Sequence, residues 1–349
     1  MQFSGCGNYK TRYVDEMALF ETDTGRLFIV AVLLLGVALP WMVGDYPLFL
    51  LQLVAVFTIG ALGLNLLTGN TGQISLGHGA FMGVGAYAAG MLAQAGVPFV
   101  VSVVLAGFAT AGVGAFFGVP SLRVKGLYLA LATLAAQVVL SFVFTWVDSS
   151  GGGTSYLTLP PPRVGPWELG RGRAYGLLLV VTAFLMGWGA LNLLRTRVGR
   201  AWLAIRDNDR AAAAMGIPVF TYKLFAFFVS AYYVGVAGAL WAYLTGVVSA
   251  ERFGVLLSVE YLAMIIVGGL GSVLGSVLGA VVITLLPELL RVLADALSAA
   301  LPGASNLFIG LRYAAFGAVI VAFLVWEPEG LADRWRVVKA YFNHWPFRY

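Results

Sequence analysis

The sequence predicts an all-α polytopic membrane protein of about ten transmembrane helices, within a range of eight to ten. Three observations carry this. Charged residues are 11% of the 349, against roughly 25% in a soluble chain. Hydrophobic residues are 60% and mean hydropathy is +0.89. Glycine, at 44 residues, is near twice its usual share of about 7%, and membrane helices favour it for close packing. Disorder, collagen and coiled coil are excluded by the same composition. The single Cys6 and the two histidines, His78 and His344, leave no intrachain disulfide and no Cys- or His-based metal site.

About 20 apolar residues of helix cross the hydrocarbon core. Runs of that kind fall at 27–44, 46–67, 75–95, 98–119, 126–147, 174–194, 222–247 and 307–326. The segment 258–290 is too long for one span and is interrupted by Gly268-Gly269-Leu270-Gly271-Ser272. One transmembrane domain, 27–326, therefore lies between tails 1–26 and 327–349. The first run lacks a small-residue cleavage site and reads as a retained helix.

Orientation follows from Lys and Arg, which cytoplasmic loops accumulate. Splitting 258–290 gives ten spans and puts fifteen of the 21 Lys and Arg on one side. Leaving it whole gives nine spans and a weaker bias. Ten spans with both termini cytoplasmic is the preferred topology. Five spans then flank the Gly/Pro-rich loop 148–173 on each side. Halves with an odd number of spans are inverted relative to one another, as in inverted-repeat transporters.

Two glycine clusters interrupt apolar sequence. In the first, Gly69 to Gly83, polar residues concentrate at the start of a span: Asn65, Asn70, Gln73, Ser75 and His78, among Gly77 and Gly79. Unwound backbone at membrane depth survives only where protein buries it or a wet cavity adjoins it, so these residues are candidates for a translocation path. The second, Gly268 to Gly279, spaces glycines four apart. That is first a helix-packing pattern, with Gly271 as a further path candidate.

Absences narrow the function. No charged residue lies near the middle of an expected span; Glu260, Glu288, Arg291 and Arg312 sit near span ends. The chain has no Gly-Lys dipeptide, hence no P-loop, and no H-E-x-x-H or G-x-S-x-G. An ion-coupled pump would keep a charge inside, and an ATPase would need the P-loop. No catalytic residue set can be assembled, and no nucleic-acid function is implied. Uphill transport would draw its energy from another subunit.

The loop 195–221 supplies a dock for one. Residues 200–207 and 209–215 are good helix formers, strongest at Ala211 to Ala214. Asn208 or Asp207 serves as N-cap, Gly216 as the C′ residue, and Pro218 follows as a stop. So short a helix is marginal in water and is expected to be held by docking through Arg206, Asp207, Asp209, Arg210, Ala211 and Ala212. A passive channel or facilitator for a small neutral solute such as urea or an amide is the alternative, but a channel needs no such dock.

Three motifs in order, Gly69-x-x-Gly72-Gln73-Ile74-Ser75-Leu76-Gly77-His78, Arg206-Asp207-Asn208-Asp209-Arg210-Ala211-Ala212 with Gly216-Ile217, and Gly268-Gly269-Leu270-Gly271-Ser272, resemble the LivM-type permease subunit of branched-chain amino acid ABC importers. Asn70 and Gly79 depart from the family's pattern, beside the expected path. The resemblance implies a transport subunit that is not itself an enzyme and carries no cofactor. ATP and Mg would act on two nucleotide-binding subunits. A second homologous (LivH-like) permease and a periplasmic binding protein would complete the importer. Substrates would be branched-chain amino acids or a related small neutral or zwitterionic solute, and 200–217 would be the coupling helix.

Overall fold

A computed structural model describes residues 36–122, 124, 126–150, 156–165, 167–298, 314, 317–318, 320–323, 325 and 329–344. The tail 1–26, half of the expected span 27–44 and most of 307–326 lie outside the described residues. Apolar runs of membrane length become helices because a chain in hydrocarbon must pair its own N–H and C=O groups. In order these are α1 (Asp45–Thr71), α2 (His78–Gln94), α3 (Phe99–Ser121), α4 (Leu127–Ser150) and α5 (Arg173–Arg195). Then come the short α6 (Arg197–Asp207) and α7 (Asp209–Ala214), followed by α8 (Val219–Thr245), α9 (Val255–Gly268), α10 (Val273–Ser298) and α11 (Leu331–His344). Six of them are long and apolar enough to cross a membrane: α1, α3, α4, α5, α8 and α10. Among the described residues the fold is all-α but for four two-residue strands, which pair Leu157–Thr158 with Val247–Val248 and Arg163–Val164 with Trp167–Glu168.

Helix α8 is the hub, packed on α1, α2 and α3. Glycine makes the α2–α8 approach possible: a Cβ on Gly85 would lie 2.6 Å from Gly235 Cα. The apolar run 258–290 does break at its glycines, where Gly269 and Gly271 take positive φ (+119° and +80°). The two arms, α9 and α10, pack backbone to backbone, with Gly275 carbonyl against Gly268 and Met264 carbonyl against Gly279. At the periphery, α4 exposes Phe142 and Trp146 and α5 exposes Leu185 and Trp188, as lipid-facing helices do.

Two boundaries differ from the expectation in ways that matter. Helix α1 continues past 67 to Thr71, so Gly69 and Asn70 are helical and only 72–77 is unwound. Helix α9 begins at Val255, not 258, so Glu260 is its sixth residue and not a span-end residue. The region expected as a C-terminal tail contains α11, which packs on α9 and α10, with Ala332 against Gly269.

Candidate translocation site

The bundle has two ends. One, at the C-terminus of α1, carries α6 and α7. The other, at the C-terminus of α8, carries residues 156–165 and 167–172. Between them the first glycine cluster forms a re-entrant connection. Thr71 ends α1, and seven residues later the His78 ring meets Gly60, eleven residues back along the same helix, with Nε2 2.9 Å from the Gly60 carbonyl. Eleven residues of helix are about 16 Å, so α2 starts well inside the bundle.

A helix that starts there leaves its first N–H groups without water. Neighbouring helices supply the acceptors. Gly79 N–H donates to Ser258 Oγ of α9 (2.8 Å), and Ala80 N–H to Gln137 Oε1 of α4 (2.8 Å). Leu76 N–H donates to Thr133 Oγ1 (2.9 Å). Gln137 also accepts from Ser258 Oγ (3.2 Å) and donates to the Phe253 carbonyl (2.6 Å). The segment 246–254 descends from the other end, so the starts of α2 and α9 meet at Gly79, where a Cβ would lie 3.0 Å from the Gly254 carbonyl.

Below this layer Asn65 ties the two glycine clusters together. Its Nδ2 donates to the Ser272 carbonyl (2.8 Å) and to Ser276 Oγ (2.7 Å). Its Oδ1 accepts from Gly271 N–H (2.8 Å), and Asn70 Nδ2 donates to the Asn65 carbonyl (3.2 Å). Arg206 of α6 joins the cluster, donating from Nη1 to the Gly69 carbonyl at 2.6 Å. The expected path residues are thus assembled in one column. Asn65, Asn70, Gln73, Ser75 and His78 are all buried. Two of their partners were not visible in the sequence: Gln137 and Ser258 sit in apolar runs and signal nothing by spacing, whereas Ser276 lies in the second glycine cluster.

The His78 layer is closed by packing. Tyr261 stands edge-on to the His78 ring at 5.1 Å and donates to Met82 Sδ (3.2 Å). Gly60 leaves the room that the Tyr261 ring fills. Because a carbonyl can only accept, His78 carries its proton on Nε2.

A cavity lies on each side of the closed layer. At the α6–α7 end, about 330 Å³ are bounded by Gly72, Gln73, Arg206, Asp207, Asp209 and Lys223. Lys223 and Asp209 pair across 3.5 Å. Gln73 lines this cavity with a buried Oε1 that has no partner among the described residues. Thr71 donates its hydroxyl to the Leu67 carbonyl (2.5 Å), so Gln73 meets Thr71 Oγ1 with its amide nitrogen (2.7 Å). At the opposite end a larger cavity, about 700 Å³, runs from Thr245 and Arg252 down to Phe57, Met82 and Glu260. Glu260 was expected near a span end. It is half-buried, next to Tyr261 in the closed layer, because α9 itself begins deep. The statement that no charge lies near the middle of a span does not survive this placement.

The loop 195–221 folds as two short helices. Thr196 caps α6, accepting from Val198 N–H (3.2 Å). Asn208 caps α7, accepting from Arg210 N–H (3.0 Å) and Ala211 N–H (3.1 Å). Gly216 follows with φ +83°. Trp202, fully buried, donates to the Tyr222 carbonyl (2.9 Å) and anchors the pair. Of the residues expected to dock, Arg206, Asp207, Arg210 and Ala211 are exposed and Ala212 is turned inward. Ala212 is only 4% exposed, whereas Met215 is 83% exposed and Arg210, Ala211 and Ala214 are open. Arg206 and Asp209 bond within the chain, to Gly69 and Lys223.

Re-entrant connections meeting between two cavities, in a bundle with membrane-length apolar helices, define the class: an integral membrane permease. The family model described as branched-chain amino acid transport system / permease component matches residues 46–324, and the chain belongs to this family. It is 30% identical over 340 residues to the high-affinity branched-chain amino acid transport system permease protein LivM of Escherichia coli (strain K12), covering 89% of this chain and 76% of that one. A probable LivM of Methanocaldococcus jannaschii is 25% identical over 238 residues, 66% of this chain and 67% of the other. The autoinducer 2 import permease LsrC of Enterobacter sp. (strain 638) is 28% identical over 224 residues, 63% and 61%. No solved structure matches. As a permease component the chain is a transport subunit, not itself an enzyme, and the family disfavours the passive-channel alternative.

Proposed function

We propose that the chain is one of two permease subunits of an ATP-driven importer for branched-chain amino acids. In this reading the α6–α7 end is cytoplasmic, together with both termini, and the 156–172 end faces the periplasm. A binding protein delivers substrate to the periplasmic end. Two nucleotide-binding subunits, carrying ATP and Mg, dock at the other, and a LivH-like permease completes the path. The chain itself carries no cofactor.

Family membership is the observation that carries this reading. The exposed tip of α7, with Met215 open and Ala211 and Ala214 beside it, supports the motor dock: small side chains let a partner approach, and an exposed methionine adapts to an apolar groove. An inverted five-plus-five repeat is supported by α1 and α8. Each has 27 residues, each ends at a glycine with positive φ, and each leads into a shorter helix whose start lies deep in the bundle.

Co-purification tests the assembly. Untagged nucleotide-binding subunits and a second permease should come through with this chain from the native membrane; a lone homo-oligomer would favour a channel. Met215→Glu should reduce recovery of the nucleotide-binding subunits at least fivefold and stop uptake, whereas Ala212→Trp, which intrudes into its own bundle, should lower the chain's stability first.

A further inference from the structure

We propose that the 700 Å³ cavity is a substrate-receiving site on the permease itself, with Arg252 taking the carboxylate and Glu260 the ammonium of an aliphatic α-amino acid. The proposal rests on the importer reading above and adds to it the residues that would hold the substrate.

The cavity has the size of small-molecule sites, about 300–1,000 Å³. Its walls are apolar over one sector, with Leu53, Phe57, Met82, Trp241 and Leu257, which suits a branched aliphatic side chain. Charges of both signs line the rest: Glu251, Arg252 and Glu260. Among the described residues none of the three makes an ion pair. Glu260 is the decisive one. A carboxylate part-way down a membrane helix is costly, and such groups face a wet cavity and serve a substrate or ion. Glu260 lines the cavity next to Tyr261, which shuts the His78 layer. Arg252 sits near the mouth on the 3₁₀ turn Ala250–Phe253.

The occupant follows from charge complementarity. A lipid tail would use the apolar wall and leave Glu251, Arg252 and Glu260 all unmatched. A neutral solute would do the same. A zwitterion with an apolar side chain matches all three features at once. Its seat lies directly above the closed layer, so opening that layer would release it towards the cavity at Gln73. Phe57 and Met82 belong to both the cavity wall and the packing around Tyr261, so the layer can sense what occupies the cavity.

The test uses the complete complex in lipid nanodiscs without binding protein, probed with radiolabelled leucine. The parent should bind leucine saturably. At tenfold excess, 4-methylpentanoate, which lacks the ammonium, and 3-methylbutylamine, which lacks the carboxylate, should each displace little of it. Glu260→Gln and Arg252→Met should each weaken leucine binding at least tenfold, and Glu260→Asp should recover part of the loss. Leu257→Trp, which fills the cavity and leaves all three charged side chains in the chain, should abolish binding. Variants are scored when they co-purify with their partners in the parent's ratio; if Glu260→Gln does not, Arg252→Met at its exposed position decides. Absence of saturable leucine binding in the parent, or parent-like binding in both charge variants, overturns the site. Vesicle uptake separates the two readings: leucine uptake with loaded binding protein but no leucine bound at the cavity removes the site and leaves the importer, whereas no uptake of any branched-chain amino acid removes the importer.

Discussion

The C-terminus of α1 and the C-terminus of α8 lie at opposite ends of the bundle and are built alike. Each 27-residue helix stops at a left-handed glycine, Gly72 (φ +71°) or Gly246 (φ +73°). At each, an arginine donates to the carbonyl three residues before that glycine: Arg206 Nη1 to Gly69 at 2.6 Å, and Arg171 Nε to Tyr243 at 3.1 Å. A cation there matches the negative end of the helix dipole and takes up a carbonyl with no helical partner. What holds each arginine differs. Arg171 also donates to the Leu159 carbonyl (3.2 Å), and Gln52 of α1 donates to the carbonyl of Gly172 (3.0 Å). The strand pair Leu157–Thr158 with Val247–Val248 closes the same region. Arg206 instead rides on α6, whose companion α7 is six residues long and exposes Met215. The same cap is therefore a fixed staple at one end. At the other, in the importer reading proposed above, it is borne by the element on which the partner would dock, so a shift of that element would reach Gly69, Asn65 and the α9–α10 break at once.

The sharpest way to break this comparison is to give each terminal glycine a Cβ. Both positions carry the left-handed penalty for an L residue, roughly 1–2 kcal/mol. They differ in room. At Gly246 the new Cβ would run into the Arg171 guanidinium, while at Gly72 its nearest neighbour is Arg206 Cγ at 3.6 Å. Gly246→Ala should therefore also displace the Arg171 bonds, worth about 1.5–3 kcal/mol when a charged group donates. Its melting temperature should fall clearly below that of Gly72→Ala in the purified complex. Equal melting temperatures would mean that Arg171 gives way freely and is no staple.

Removing the arginines themselves sharpens the contrast. Arg171→Ala should cost stability, again about 1.5–3 kcal/mol, while leucine uptake per folded complex stays within about twofold of the parent. Arg206→Ala should do the reverse: a small change in melting temperature and a loss of uptake of at least tenfold, with more ATP hydrolysed per molecule imported. Arg206→Lys should not rescue, because a compact ammonium lacks the reach of the guanidinium. If both alanine variants change stability and uptake in proportion, the two ends are equivalent and the coupling role of Arg206 is lost.

How legible these ends were in the sequence can be read from particular residues. The break at 268–272 and the caps at Asn208 and Gly216 carry local chemistry, namely conformational freedom and side-chain acceptors, so they were readable. The column Asn65–Asn70–Gln73–Ser75–His78 was readable as a polar interruption of an apolar run. Its role in joining the two glycine clusters was not, since Asn65 meets Ser272 and Ser276 over more than two hundred residues. Glu260 was misplaced because Glu251 and Arg252 make the approach to α9 read as an external loop. Residues 246–254 descend into the bundle, so distance along the chain does not measure depth. Ala212 was read as part of the dock since an alanine run shows no periodicity of its own; the anchor at Trp202 decides which face turns inward.

The smallest effect expected concerns what lets the Arg206 end move at all. Helix α7 is too short to persist in water unaided, and its N-terminus depends on Asn208 Oδ1, which takes both Arg210 and Ala211 N–H. Replacing Asn208 with Ala removes that acceptor at a cost of about 1 kcal/mol. The charge at Arg206, the anchor at Trp202 and the exposed Met215 all remain. Amides 209–215 should then exchange with deuterium about fivefold faster, about what 1 kcal/mol gives, while the amides of 157–159 and 243–248 exchange as before. Uptake should fall no more than a few-fold, since docking can re-form the turn. Faster exchange that spread to the Arg171 end would show the two caps to be coupled through the bundle in the resting state. Unchanged exchange at 209–215 would show that docking of α7 on its own chain, through Ala212 and the Asp209–Lys223 pair, already fixes the helix without its cap.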